Sequence, residues 1–258
     1  MDRSARDGRA VVLTDLALDL HIHTVVSACA EIEMIPPLIV RRALELGLDL
    51  IAITDHNTAE NVAAVQEAAR GTALKVLPGM EVQTSEEVHI LCLFDTSEQI
   101  CAWEATVYNS LPSDRHHPEV FGAQYVVDAA GDYVRENERL LLTSVAMSVD
   151  NVVAQVRALG GLPIAAHVDR PSYSLLASLG FVPEGLDLAG LEISRRQTVE
   201  GFREAYPYLA RWPLIGSSDA HRLADLAVRT RAKMATRTIH ELELALQAEQ
   251  GRGLWLID

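Results

Sequence analysis

The chain has 258 residues, 49% of them hydrophobic, and a formal net charge of −14. This length fits one large domain, or one domain with an insertion, and supplies enough apolar side chains for a full core. So acidic a chain is not expected to bind long nucleic acid, because few cations can neutralise backbone phosphates; a small anionic substrate remains compatible where bound metal ions reverse the local sign.

Taken in chain order, residues 1–10 (MDRSARDGRA) lack the apolar core of a signal peptide and read as a flexible tail. LALDLHIH, 16–23, reads as a strand in which Asp19, His21 and His23 occupy alternate positions and so share one face. PPLIVRRALELG, 36–47, reads as a helix with prolines at its start and Gly47 at its end. LDLIAITDH, 48–56, is a buried strand, followed by a helix over 58–70 closed by Gly71. ALKVLPGMEVQT, 73–84, and EVHILCLFD, 87–95, are strands able to pair about the Ser85–Glu87 turn. Residues 97–148 break this rhythm and exceed an ordinary connection. They read as an inserted subdomain or lid, or as a decorated crossover with no role in a site. Beyond them come a helix over 149–161, strands over 162–169 and 188–194, a helix over 198–210, a strand over 212–221 and a closing helix over 238–250. Repeated strand–helix units across 11–258 argue for one α/β domain built on a parallel sheet or barrel. Three cysteines, Cys29, Cys92 and Cys101, make no disulfide framework and suit a reducing, cytoplasmic setting. No apolar run is long enough to span a bilayer, so no membrane is expected as a partner.

Of nine histidines, six fall on the predicted strands or at their ends: His21, His23, His56, His89, His167 and His221. Glu81 and Asp219 fall there too. In barrels of alternating strands and helices, strand C-termini form the active-site face, so these groups are expected to converge on one pocket. A single such histidine is more often a satisfied core residue, but chance does not group six. Imidazole with carboxylate suits divalent zinc, manganese or iron, and eight ligands exceed one tetrahedral site, which points to two or three ions. Such a cluster binds phosphate oxygens, generates hydroxide near neutral pH and stabilises a leaving oxygen.

DLHIHT, ITDHN, PGME, AAHVDR and SSDAH, in this order, resemble the motifs of the PHP (polymerase and histidinol phosphatase) superfamily over residues 17–221. The resemblance implies a distorted seven-stranded β/α barrel, with the inserted segment at 97–148, around a polynuclear metal cluster. The superfamily includes histidinol phosphatases, nucleotide and oligonucleotide phosphoesterases, and nuclease domains of some polymerases. The resemblance implies that His21, His23, Glu81 and Asp219 hold a first ion. Glu81 would bridge to a second ion held with His89 and His167, and His56 and His221 would take a third. Glu81, His56 and Asp219 are the expected catalytic residues. Asp19 and Asp55 are expected to orient ligand imidazoles from behind. Cys29 stands where other members often carry His or Asp, and reads either as a thiolate ligand of the third ion or as a small buried residue.

A phosphate monoester needs positive groups beyond the metals. Arg170, just after the His167 strand end, and Arg195, just after another, are the expected clamps, since a guanidinium grips phosphate in bidentate fashion. His116, His117 and Arg135 in the inserted segment are weaker candidates. The expected activity is hydrolysis of a phosphate ester, in a small phosphorylated metabolite or nucleotide, by metal-activated hydroxide. The alternatives are an exonuclease acting on short nucleic-acid ends and a non-catalytic, metal-binding regulatory module. The sequence carries no signal for oligomeric state.

Overall fold

The structure, a computed structural model, describes residues 11–257, so the expected tail over 1–10 lies outside the described residues. The first half runs β1 (Thr14–Ile22), α1 (Pro36–Glu45), β2 (Leu50–Ile53), α2 (Val62–Ala68), β3 (Lys75–Gln83) and β4 (His89–Leu93). The segment after it holds α3 (Ser97–Ser110), α4 (Pro118–Phe121) and a hairpin of β5 (Tyr125–Val127) and β6 (Tyr133–Glu136). Then follow α5 (Val149–Ala158), β7 (Leu162–Ala165), α6 (Leu175–Leu179), β8 (Gly190–Ile193), α7 (Val199–Ala205) and β9 (Leu214–Gly216). The chain closes with β10 (Thr230–Met234), α8 (Ile239–Leu246) and β11 (Gly253–Leu256).

Among the described residues, nine strands form one sheet in the order β11-β10-β1-β2-β3-β4-β7-β8-β9. β1, β2 and β3 run parallel, β4 runs antiparallel to both β3 and β7, and β7, β8 and β9 are again parallel. The sheet nearly closes into a barrel, because Ile22 at the end of β1 bridges to Ala220 just beyond β9. The His23 N–H donates to the Ala220 carbonyl at 3.0 Å, and the Ala220 N–H to the His21 carbonyl at 3.2 Å. The expected seven strands become nine because β10 and β11 add antiparallel outside β1. Both were hidden in the sequence: β10 is the charged stretch TRAKM, buried only at alternate positions, and β11 is four residues long.

Two apolar layers flank the sheet. Leu18, Leu20, Leu50, Leu77, Leu91 and Ile164 pack together on the inner face, joined by Leu242 and Ala245 of α8. Ile51, Ile53, Val82 and Ile90 face outward against Ile39, Val65, Trp103 and Val152 of the surrounding helices. Within the 97–148 segment, α3 begins with a reciprocal capping box between Thr96 and Gln99 and buries Ile100, Trp103 and Val107 in that outer layer. The β5–β6 hairpin is tied to the loop after β1, where the Tyr125 N–H donates to the Val25 carbonyl at 3.1 Å.

Candidate metal centre

Strict alternation along β1 would put Asp19, His21 and His23 on one face, but the structure breaks it. Between Asp19 and Ile22, β1 advances three residues while β2 advances two, from Ile51 to Ile53. This bulge inverts the parity, as bulges beside active sites do. Before it, Leu16, Leu18 and Leu20 face inward; after it, Ile22 packs outward among the helices and His21 and His23 turn inward. Asp19 is left behind and meets no imidazole through a hydrogen bond. Its carboxylate instead accepts the Ser218 N–H at 2.9 Å and the Ala227 N–H at 3.4 Å, which pins the turn leading to Asp219.

The other ligand candidates reach the same rim by different routes. Glu81 projects inward from β3 with Leu77, as its parity requires. His89 opens β4 rather than ending it, and the antiparallel direction of β4 brings that start to the end of β3. His167 and Asp219 lie just past strand ends with left-handed backbones, φ 27° and 51°.

Glu81 is the hub. Its Oε1 lies 2.8 Å from His89 Nδ1, 3.1 Å from His167 Nε2 and 3.3 Å from His21 Nε2. Its Oε2 lies 3.1 Å from His56 Nδ1 and 3.3 Å from His23 Nε2, yet this buried oxygen forms no properly directed hydrogen bond. Asp219 Oδ1 is 3.3 Å from the Nε2 atoms of both His21 and His23, and 3.5 Å from His221 Nδ1. The His21 and His23 Nε2 atoms face each other at 3.2 Å. Among the described residues, three triads have ligand atoms mutually within 4.8 Å: His21, His23 and Glu81; His56, Glu81 and His89; His23, His56 and His221. Imidazole nitrogens and carboxylate oxygens gathered this closely in a buried space form a donor set that fits divalent zinc, manganese or iron.

Charge among these side chains is finely divided. Burial opposes ionisation of Glu81, but His89, His21 and His56 outweigh it and hold the carboxyl well below its usual range. Asp219 is lowered in the same way, with His21 and His23 overcoming burial. Burial is likewise outweighed at His21 by Glu192, Glu81 and Asp219, at His23 by Asp219 and Glu81, and at His56 by Cys29 and Glu81. His21 is raised well above its ordinary value, and His23 and His56 each rise to about 9. Burial prevails at His89 and His221, which fall to about 4 and about 3.

Behind this shell, Asp55 accepts from the Thr24 N–H at 2.6 Å, the Thr24 hydroxyl at 2.8 Å and the Ser27 hydroxyl at 2.7 Å. Ser27 Oγ lies 3.1 Å from His23 Nδ1. Since its proton goes to Asp55, Ser27 accepts from His23 Nδ1–H and leaves Nε2 facing the centre. Asp55 thus acts on an imidazole through a hydroxyl.

Glu192 escaped the reading of the sequence. It is buried in β8; its Oε2 lies 3.0 Å from His21 Nδ1 and accepts the His167 backbone N–H at 3.0 Å, while its Oε1 has no partner among the described residues. With Leu191 and Ile193 packed outward, Glu192 is the carboxylate of LAGLEIS that faces inward, which becomes readable only once the facing of that strand is known.

Cys29 is exposed beside His56. Arg170 is exposed, its Nη2 2.5 Å from Asp219 Oδ2. Arg195 pairs with Asp225 at 2.8 Å on the surface. His116 is buried with its Nε2–H on the Gly122 carbonyl at 2.6 Å, His117 pairs with Glu119, and Arg135 with Glu60; all three stand apart from the triads.

Residues 29 and 92, with Cys101, form no disulfide, and no helix among the described residues is long and apolar enough to cross a membrane. Over 81 residues the chain is 38% identical to the 5'-3' exoribonuclease Rnm of Escherichia coli K12, a stretch that covers 29% of this chain and 26% of that protein. Its fold is similar to that of the lesion-specific endonuclease Q of Pyrococcus furiosus, with a TM-score of 0.73 at 18% identity over 93% of this chain and 58% of that one. Endonuclease Q bound to a 27-mer duplex with an abasic lesion at its active site gives a TM-score of 0.68 at 17% identity, with the same coverage. The chain thus spans about a quarter of that exoribonuclease and just over half of the endonuclease. Residues 19–174 match the model of the PHP domain, a stretch that contains the His21–His23 pair, His56, Glu81, His89 and His167, and the chain belongs to the PHP domain family.

Proposed function

We propose that this PHP domain is a metal-dependent phosphoesterase that hydrolyses phosphate esters of nucleotides or short nucleic-acid ends. The observation that carries the reading is Glu81, one buried carboxylate contacted by five imidazoles on successive barrel strands and loops. His21, His23, Glu81 and Asp219 would hold one divalent ion, Glu81, His89 and His167 a second, and His56 and His221 a third, with Cys29 beside it. Ions held there supply Lewis acidity toward phosphoryl oxygens and lower the pKa of bound water toward neutrality.

The chain's own residues do the rest. Glu81, shared by two of the triads, would contribute to holding more than one ion. Glu192 and the Asp55–Ser27 pair hold His21 and His23 with Nε2 facing inward. Arg170, tied to Asp219 through one nitrogen, retains N–H donors for a phosphate at the mouth. The net charge of −14 favours short over long polyanions, and the nucleic-acid activities in the names of the similar proteins favour nucleotides over other metabolites. The test is phosphate release by purified protein with added Mn2+, Zn2+ or Fe2+, from an aryl phosphate, nucleotides and a ladder of oligonucleotides. Turnover that falls with chain length is expected. Metal-loaded protein that turns over none of these would overturn the reading and leave a binding module.

A further inference from the structure

The loop from His167 to Ser174 does more than deliver a ligand. It is held at both ends: the Arg170 N–H donates to the His167 carbonyl at 2.9 Å, and the Ser174 hydroxyl to the Arg170 carbonyl at 2.7 Å. Near its end stands Tyr173, with a φ of 54°. A bulky side chain rarely adopts this left-handed conformation, and glycine or asparagine takes it at far less strain. Such strain at a site is a pointer to function. The Tyr173 ring stacks on the ligand candidate His89, with centroids 5.1 Å apart and planes at 24°. Its carbonyl accepts the His89 N–H at 3.2 Å, yet the residue remains 48% exposed.

A cover for His89 would need neither the strain nor the exposure. What this placement provides is an aromatic ring at the lip of the metal centre, backed on one side by a fixed imidazole and open to solvent elsewhere. Arg170, three residues earlier on the same loop and paired with Asp219, is the cation proposed above for the phosphate. An aromatic ring beside a phosphate site is how proteins hold the base of a nucleotide, because every base has a face to stack and the rings need not match a sequence.

We infer that Tyr173 is a substrate-binding residue that stacks the nucleobase of a nucleotide whose phosphate lies between Arg170 and the metal centre. This rests on the phosphoesterase reading for its phosphate position, but binding tests it separately from turnover.

The experiment compares binding of adenosine 5'-monophosphate with that of ribose 5-phosphate, which lacks the base, to metal-loaded wild type and to Tyr173→Gly, Tyr173→Asn and Tyr173→Phe. Calorimetry should give the nucleotide an advantage of about ten- to a hundredfold in wild type. That ratio should collapse toward one in Tyr173→Gly and Tyr173→Asn and survive in Tyr173→Phe. Because glycine and asparagine accept the backbone, both variants should keep their metal content and melt at or above the wild-type temperature, while ribose 5-phosphate binding stays unchanged. A wild-type ratio near one, or a ratio retained in Tyr173→Gly or Tyr173→Asn, overturns the inference. If wild type hydrolyses no phosphate ester yet shows the binding ratio, the phosphoesterase reading fails and the stacking role stands. If one variant loses metal, the other, with Tyr173→Phe and the wild-type ratio, decides.

Discussion

Single side chains in this centre differ in how many partners they serve, and that sets the order of their effects. Glu81 touches five imidazoles, whereas His221 approaches one carboxylate at 3.5 Å and sits at the partly exposed edge. Glu81→Ala should therefore abolish turnover at saturating metal, while His221→Ala retains a measurable fraction; equal activity of Glu81→Ala and wild type would refute the hub role. Glu192 acts one step further out. Its carboxylate makes the His21 imidazole more basic and fixes its orientation, and loss of such an outer partner commonly costs ten- to a hundredfold in metal affinity. Glu192→Gln keeps the shape and removes the charge, so Mn2+ titration of the metal-free protein should show a loss of roughly that size. Unchanged affinity would reduce Glu192 to packing. The clustering of the candidate ligands was legible in the sequence because imidazoles and carboxylates at successive strand ends are rare by chance. Glu192 was not, because a lone carboxylate inside an apolar strand carries no such pattern until the inward direction of that strand is known.

Elements decide which way those side chains point, and here the sequence was a partial guide. Apolar runs and helix boundaries located most strands and helices, and the turn between β3 and β4 was readable from its polar residues. The β1 bulge was not readable, since alternation shows that a strand has two faces but not where the pairing slips. The direction of β4, which places His89 at its start, was likewise a property of pairing. Close backbone approach is a third such property, and Gly79 in PGME shows it. A Cβ at Gly79 would lie 2.8 Å from both the Ile53 carbonyl oxygen and Thr54 Cγ2. The carbonyl belongs to the neighbouring strand and cannot rotate away, so β3 would have to shift, and Glu81 is two residues along it. Gly79→Ala should destabilise the fold by about 1–3 kcal/mol, the usual range for overpacking, and weaken Mn2+ binding as well. Gly253→Ala is the control: nothing lies within 4 Å of its Cβ, and its stability should stay within about 0.5 kcal/mol of wild type. Chemical denaturation of both variants measures the contrast, and equal midpoints would remove the close-packing argument.

At the scale of the whole molecule, the centre couples folding to pH and to metal. His23 and His56 are raised from 6.5 to about 9 in the folded chain. Between those values the folded chain holds protons that the unfolded chain has released, so this stabilisation is complete below pH 6.5 and is lost as pH rises toward 9. His89 and His221 behave oppositely, having fallen to about 4 and about 3. Their unfolded forms take up protons first, so their contribution is present above pH 6.5 and is lost as pH falls. Glu81 and Asp219, both lowered, add to the acid-side loss, present above their unfolded values and lost below them. The two slopes meet near the ordinary imidazole value, so the metal-free protein should melt highest near pH 6.5 and progressively lower toward pH 9. Metal reverses the alkaline limb. Ligand imidazoles must be neutral to bind, so ions held by His23 and by His56 would displace their protons, and the affinity of those sites should rise as pH removes them. Ions that bind only the folded chain raise its stability by mass action, about 2.7 kcal/mol at a hundred times Kd. Melting curves from pH 5 to 9, with chelator and with saturating Mn2+, should therefore diverge with increasing pH. Parallel curves, or a metal-free optimum at pH 9, would show that these histidines are not the protonated ligands of one centre.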